Sequence, residues 1–203
     1  MPDAVRLPRS FYRGAPLDVA RSLLGKVVVH RGRDGAAAGR IVEVEAYGGE
    51  DDPACHAASG LTPRNAPLYG PPGYAYVYLN YGIHYLLNAV TGPAGFPAAV
   101  LVRALSPVEG LDRMRRRRLV RPGAVPPADE ALCRGPGNLT RALGVTLRQN
   151  RLDLCGERLF IEDRGLPVGA VRWGPRIGIA VGTARPWRGY LADCPAVSRA
   201  GPA

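Results

Sequence analysis

The sequence contains no apolar stretch long enough to cross a membrane. A bilayer-spanning helix needs about 20 mainly apolar residues, and the uninterrupted apolar runs of this 203-residue chain are all much shorter. The first ten residues, MPDAVRLPRS, also lack the apolar core of a secretory signal. We therefore expect a protein of the cytoplasm with no membrane partner.

Cysteine is scarce and is not spaced for metal binding. The four cysteines are Cys55, Cys133, Cys155 and Cys194. They form no Cys-x-x-Cys pair, and nothing near Cys55 and its neighbour His56 completes a set of zinc ligands. We predict reduced thiols, no metal site and no bound cofactor.

Lysine is almost absent, whereas arginine is abundant. Lys26 is the single lysine among 27 basic residues, and only 17 acidic residues oppose them, which leaves a formal net charge of +10. Arg, Ala, Gly and Pro are all frequent, as in proteins of GC-rich genomes, and this explains the ratio of arginine to lysine but not the net charge. A surplus of this size favours a polyanionic partner.

Glycine and proline are the frequent residues that shape the fold. The chain has 26 glycines and 20 prolines, a composition that indicates many turns and short elements. Its length is most simply that of one domain, over residues 1–203, with flexible ends at 1–6 and 198–203. We expect a monomer.

The local patterns predict more strands than helices. Strands are expected at 26–30, 39–47, 98–105, 159–162 and 176–181, and helices at 9–25, at 107–118 and within 128–143. The two kinds of element do not alternate along the chain. This favours an α+β fold with a curved antiparallel sheet and short peripheral helices.

Five of the nine tyrosines lie within twelve residues, at Tyr74, Tyr76, Tyr78, Tyr81 and Tyr85. Tyr76 and Tyr78 are two residues apart in an alternating run, so they are predicted to share one face of a strand. Tyr81 and Gly82 break the alternation and predict the tip of a protruding β-hairpin. In a basic protein, a nucleobase is the partner that most favours flat exposed rings.

The strand at 39–47 carries two carboxylates on one predicted face. Glu43, Glu45 and Tyr47 alternate with small apolar residues that suit a core. We expect Glu43 to face water, whereas Glu45 beside Tyr47 could be a base in a pocket wall. His56 follows in an irregular loop, and Arg103 stands alone in an apolar strand, where it should reach an acid or a phosphate.

Two other functions fit parts of this pattern. Charge and tyrosines alone suit a non-catalytic module that binds RNA or DNA, but such a module gives no reason for Glu45 and Tyr47 to share a face. A carbohydrate hydrolase could use Glu43 and Glu45. Residues two apart on a strand lie side by side, however, rather than on either side of a glycosidic bond.

Several long segments, in order, resemble the alkyladenine (3-methyladenine) DNA glycosylase family. They are GRIVEVEAY (39–47), DPACHA (52–57), TPRN (62–65), PGYAYVYLNYG (72–82), LVRALSPVEGL (101–111), GPGNLTRALG (135–144) and PRIGI (175–179). The resemblance implies a monofunctional enzyme that flips alkylated or deaminated purines out of double-stranded DNA and hydrolyses the N-glycosidic bond. It also implies association with the bacterial nucleoid.

The same resemblance implies a role for each of seven residues. Glu45 would activate water, and Tyr47, His56 and Tyr78 would stack on the extruded base. Asn88 would exclude guanine by clashing with its 2-amino group, Tyr81 would fill the gap left in the duplex, and Arg103 would contact the backbone of the target nucleotide. No lysine matches a Schiff-base role, so strand cleavage is not expected.

Overall fold

The computed structural model describes residues 4–119, 121 and 123–198, and within them nine strands form one antiparallel sheet. Along the main path of the sheet the strand order is β1-β7-β2-β3-β6-β5-β4. The strands are β1 (Val5–Arg6), β2 (Val27–Gly32), β3 (Gly35–Gly48), β4 (Ala75–Asn80), β5 (His84–Val90), β6 (Ala98–Glu109), β7 (Leu159–Asp163), β8 (Val171–Gly174) and β9 (Arg188–Leu191). The predicted α+β class is confirmed.

Three short helices pack beside the sheet: α1 (Pro16–Leu23), α2 (Leu111–Arg118) and α3 (Pro136–Leu143). Helix α1 lies against β3 and β6, whereas α3 lies against β5 and α2. Their buried faces, such as Leu23 of α1 and Leu139 of α3, join the strands in one main apolar core. In the described part of the chain, no helix is both long enough and apolar enough to cross a bilayer.

The central strand β3 organises the region where the predicted site residues lie. Its first half pairs with β2 and its second half pairs with β9, while β6 runs along the opposite edge. A bulge at Val42 and Glu43 shifts the register, because Ile41 lies opposite Leu105 while Glu43 lies opposite the adjacent Ala104. An extra residue of this kind changes the direction of the neighbouring side chains.

The bulge overturns one prediction made from strict alternation. Strict alternation places Ile41 on the face of Glu43 and Val42 on the opposite face, yet both residues pack in the main core. Glu43 does not face water but is fully buried. Alternation gives the correct faces only while the ladder is regular.

The predicted strand at 176–181 is also wrong. This segment is a loop, and the nearby strands are β8 and β9 instead. Gly178 and Gly182 have φ values of 74° and 65°, which a strand does not accommodate. Pro107 and Val108 likewise belong to strand β6 rather than to a helix, and α2 begins only after Gly110, whose φ is 77°.

The two ends that were expected to be flexible, 1–6 and 198–203, are partly covered by the structure. Val5 and Arg6 form β1 and pair with β7, and Ser198 donates hydrogen bonds to Glu43 from both its backbone N–H and its hydroxyl. Residues 1–3 and 199–203, on which the prediction also falls, lie outside the described residues.

Candidate active site

A cavity of about 530 Å³ opens where β3, β4, β5 and β6 meet two loops. The first loop contains the 3₁₀ turn His56–Ser59, and the second contains Ile177. The cavity is lined by Tyr47, His56, Tyr78, Asn88 and Arg103. Residues that are far apart in the sequence, and that were predicted to act together, therefore share one pocket.

Glu45 lies directly behind the pocket wall and is fully buried. Its Oε2 accepts a hydrogen bond from the hydroxyl of Tyr47 at 2.8 Å, and its Oε1 accepts one from the backbone N–H of Ile177 at 2.7 Å. Arg103 forms an ion pair with the same Oε1 at 3.2 Å. A buried carboxylate needs partners of this kind, and both Tyr47 and Arg103 connect it to the cavity.

Arg103 also lines the pocket, and 7% of its surface is exposed. Its Nε donates to Glu43 at 3.1 Å while its Nη1 pairs with Glu45. Burial opposes the charged guanidinium, but these two carboxylates raise the pKa of Arg103 above its ordinary value. The expectation that this arginine reaches an acid is confirmed, whereas its contact with a nucleotide stays a prediction.

Glu43 is surrounded by hydrogen-bond donors and does not face solvent. It accepts hydrogen bonds from Arg103, from Arg188 at 2.6 Å, and from the N–H and hydroxyl of Ser198, both at 2.8 Å. Three of these four hydrogen bonds go to Oε1 and one goes to Oε2. Because the donors come from β6, from β9 and from Ser198, Glu43 links these parts of the protein to β3.

Three aromatic rings form one wall of the pocket. The rings of His56 and Tyr78 are 4.5 Å apart between centroids, and Tyr76 lies 5.2 Å from Tyr78. His56 Nδ1 is 2.9 Å from the hydroxyl of Tyr76, so Tyr76, which has no predicted role, fixes the orientation of the imidazole. Burial and the charge of Arg64 lower the pKa of His56, which keeps the ring neutral at neutral pH.

Asn88 lines the pocket and is 4% exposed. It sits on β5, opposite Tyr76 of β4 on one side and Leu101 of β6 on the other. Its amide donates to the carbonyl oxygen of Tyr76 at 3.1 Å. This bond fixes the orientation of the amide, which contributes a polar group to the pocket lining.

Tyr81 projects from the tip of the predicted hairpin at the mouth of the pocket. Its side chain is 84% exposed, and its φ of 47° is unusual for a residue with a side chain. Ile83, two residues further on, is 72% exposed. Two adjacent exposed apolar groups on a turn favour contact with a partner.

Asp52 and Arg176 form a buried ion pair that the sequence analysis missed. Arg176 donates to the two oxygens of Asp52 at 2.5 and 2.7 Å, and neither side chain is exposed. The same guanidinium donates to the carbonyl oxygen of Ala46 and lies 4.6 Å from the ring of Tyr47. It therefore ties the loop that carries Ile177 to β3. In the sequence, the lone arginine within the apolar segment PRIGI was the feature that could have indicated this ion pair.

The comparison with family models gives the family of the chain. The model of the methylpurine-DNA glycosylase family matches residues 10–195. The chain belongs to this family. Within the described residues no group of three His, Cys, Asp or Glu side chains could hold a metal ion.

Curated relatives from several bacteria agree with this membership. A protein of Burkholderia lata is 48% identical over 92% of this chain and 87% of its own length, and one of Anaeromyxobacter dehalogenans is 47% identical over 98% and 89%. A third, of Chlorobium phaeobacteroides, is 46% identical over 93% and 92%. Each carries the name "Putative 3-methyladenine DNA glycosylase".

These findings confirm the predicted enzyme class. The protein is a methylpurine-DNA glycosylase, an enzyme of DNA repair that acts on DNA. The non-catalytic module and the carbohydrate hydrolase are thereby set aside. Glu43 is also fully buried and held by four hydrogen bonds, which argues against the hydrolase, since that enzyme needed the carboxylate to be exposed to a substrate.

Proposed function

We propose that the enzyme extrudes alkylated or deaminated purines from duplex DNA into this pocket and hydrolyses their N-glycosidic bonds. Its substrates would include 3-methyladenine, 7-methylguanine, hypoxanthine and ethenoadenine. The observation that carries the proposal is a buried carboxylate, Glu45, held by a tyrosine that itself lines an aromatic pocket. This arrangement places a general base, Glu45, beside a surface on which the extruded purine can stack.

Extrusion of the base is supported by the rings around the pocket. Flipping a nucleotide costs a few kcal/mol, and stacking on an aromatic side chain contributes roughly 1–3 kcal/mol per base. Tyr47, His56 and Tyr78, which all line the pocket, can offset this cost. A neutral His56 suits a positively charged alkylpurine, because a protonated imidazole would repel it.

The chemical step uses a lone pair of Glu45 to which no described residue makes a hydrogen bond. A carboxylate oxygen has two lone pairs, and among the described residues Tyr47 is the only donor to Oε2. It can therefore accept the proton of a water whose oxygen attacks the sugar carbon, while the purine leaves with the electrons of the glycosidic bond. The negative charge of Glu45 also stabilises the cationic sugar in the transition state.

Two consequences of this mechanism concern the products and the selectivity. No lysine lines the pocket in the described part of the chain, so a Schiff base with the sugar is not expected and the product is an abasic site. Asn88 would oppose the 2-amino group of guanine, which disfavours undamaged guanine; 7-methylguanine carries the same group and should therefore be the least favoured of the four substrates.

The function is tested by excision from defined duplexes. Each duplex carries one ethenoadenine, hypoxanthine, 3-methyladenine analogue or 7-methylguanine, and alkali after incubation converts an abasic site into a strand break. We expect breaks only after alkali and only at the lesion. No break with any of the four lesions would contradict the proposal, and breaks without alkali would contradict the absence of strand cleavage.

Replacing Tyr81 with alanine is expected to weaken binding to a lesion duplex because the exposed ring fills the space left by the extruded base. Loss of one stacking ring corresponds to about 1–3 kcal/mol, or roughly tenfold to 100-fold in the dissociation constant. The measurement is fluorescence anisotropy with an ethenoadenine duplex. Leu61→Ala, which removes another exposed apolar side chain, is the control; equal affinity of wild type and Tyr81→Ala would rule out the wedge.

A further inference from the structure

A second cavity, of about 560 Å³, lies beside the hairpin that bears Tyr81. Helix α2 contributes Arg117 and Arg118 to its wall and α3 contributes Arg141, and we call these three residues the arginine cleft. His84, at the start of β5, lines both this cavity and the active-site pocket. The arginine cleft therefore adjoins the place where the damaged nucleotide would enter.

The positive charge of the arginine cleft is only partly balanced. Arg117 pairs with Asp34 at 2.6 Å. Arg141 uses its guanidinium to bind the carbonyl oxygens of Arg117 and Leu119, and over the described residues neither it nor Arg118 forms an ion pair. No aspartate or glutamate is among the residues that line the cavity.

Arg118 is the least satisfied member of the cleft. Its Nε is buried and has no hydrogen-bond partner in the portion of the chain that the structure covers. Burial and the charge of Arg141 lower the pKa of Arg118 below the ordinary value for arginine. A half-buried cation beside another cation is unfavourable unless an anion joins them.

The other arginines of the same run are placed differently. Arg115 pairs with Asp112 and Asp129, whereas Arg116 is exposed and outside the cavity. The run 115–118 is thus neither a uniform solvated face nor a uniform DNA-binding stripe. Only its last two members point to the cavity next to the hairpin.

We propose that the arginine cleft binds one backbone phosphate of the DNA strand next to the extruded nucleotide. A guanidinium can form two parallel hydrogen bonds with a phosphate, which suits an anion shared by Arg118 and Arg141. The proposal rests on the proposed function, since insertion of Tyr81 would bring the duplex to this side of the protein. It adds a phosphate contact outside the pocket that holds the base.

The salt dependence of binding tests whether Arg118 contacts a phosphate. We compare wild type, Arg118→Gln, Arg141→Gln and the control Arg116→Gln with a fluorescent ethenoadenine duplex over a series of KCl concentrations. Each cleft variant should lower the affinity on the order of tenfold and reduce the slope of log K against log[salt] by about 0.9. Arg116→Gln should leave both unchanged, and identical slopes for all four proteins would overturn the proposal.

Neutral phosphate analogues then locate the contact. Single methylphosphonates replace, one at a time, the three phosphates on each side of the lesion. One position should weaken binding of wild type and Arg116→Gln but not of Arg118→Gln, because that variant has already lost the contact. Arg141→Gln gives the same comparison if Arg118→Gln does not fold, and an additive loss at every position would contradict a specific phosphate site.

The outcome for the cleft is separable from the outcome for the enzyme. If wild type excises no lesion yet the slopes differ as described, the cleft binds DNA and the proposed substrates are wrong. If wild type excises lesions and all slopes agree, the proposed substrates are correct and the arginine cleft does not bind a phosphate of the DNA. Inorganic phosphate, added at constant ionic strength, should compete weakly with binding of the duplex, and to the same extent for wild type and all variants, because a free anion is not held in place by the rest of the duplex. Strong competition in wild type alone would show that the cleft binds free phosphate instead.

Discussion

Glu45→Gln is expected to lower the single-turnover rate of excision by about 10²–10⁴-fold, the usual contribution of a positioned general base. Glutamine has nearly the same shape, and its oxygen can still accept hydrogen bonds from Ile177 and Arg103. It cannot take a proton from water, and it has no charge to stabilise a cationic sugar. The rate is measured with enzyme in excess over an ethenoadenine duplex.

The same variant should retain binding to the lesion duplex, since the stacking rings are unchanged. Glu50→Gln is the matched control because Glu50 is exposed and makes the same kind of bond, from the hydroxyl of Tyr69, away from the catalytic carboxylate. It should excise at the wild-type rate. An active Glu45→Gln enzyme would assign the water to another group, and a variant that no longer binds would show a structural role instead.

Asp52→Asn is expected to destabilise the folded protein by about 3–5 kcal/mol, because it leaves the fully buried guanidinium of Arg176 without its counterion. In a domain of this size that corresponds to a fall in Tm of roughly 6–20 °C. Asp163→Asn is the control, since its ion pair with Lys26 is partly exposed and should contribute about 1 kcal/mol or less. Equal losses in the two variants would mean that the buried pair contributes no more than a surface pair.

The acid dependence of stability gives a second measure of the same pair. Burial opposes ionisation of Asp52, but the hydrogen bonds and charge of Arg176 outweigh it, so the pKa of Asp52 is below its ordinary value. The pair therefore stabilises the fold fully above the unfolded pKa of about 4 and loses this effect as the pH falls through the lower folded value. The stability difference between wild type and Asp52→Asn should narrow below about pH 4.

The features predicted best from the sequence are those set by local alternation and turns. The hairpin with Tyr81 at its tip and the strand that places Glu45 beside Tyr47 depend on residues only a few positions apart. The bulge at Glu43 could not be predicted, since it is defined by the register with β6. The loop at 176–181 read as a strand because its apolar residues alternate, whereas its polar groups bond to Asp52 and Glu45, more than 120 residues earlier.

The roles of the arginines were the least predictable part of the site. Composition gave their number and net charge but not their partners, which come from distant segments. Arg103 and Arg188 meet at Glu43 inside the protein, whereas Arg118 has no acidic partner among the described residues. Because arginine is so frequent in this sequence, the residues next to each arginine do not distinguish one that pairs with a buried acid from one that does not.

The partners of the two buried carboxylates also set an order for building the site during synthesis. The N–H that binds Glu45 comes from a residue 132 positions later, and the backbone group that binds Glu43 from one 155 positions later. A nascent chain that has reached only α3 contains the pocket rings but none of these donors. Arg103 and Tyr47 are already present at that stage, but β9 and the loop with Ile177 are not, so one edge of β3 is still open. Almost the whole chain must therefore be synthesised before the pocket can close.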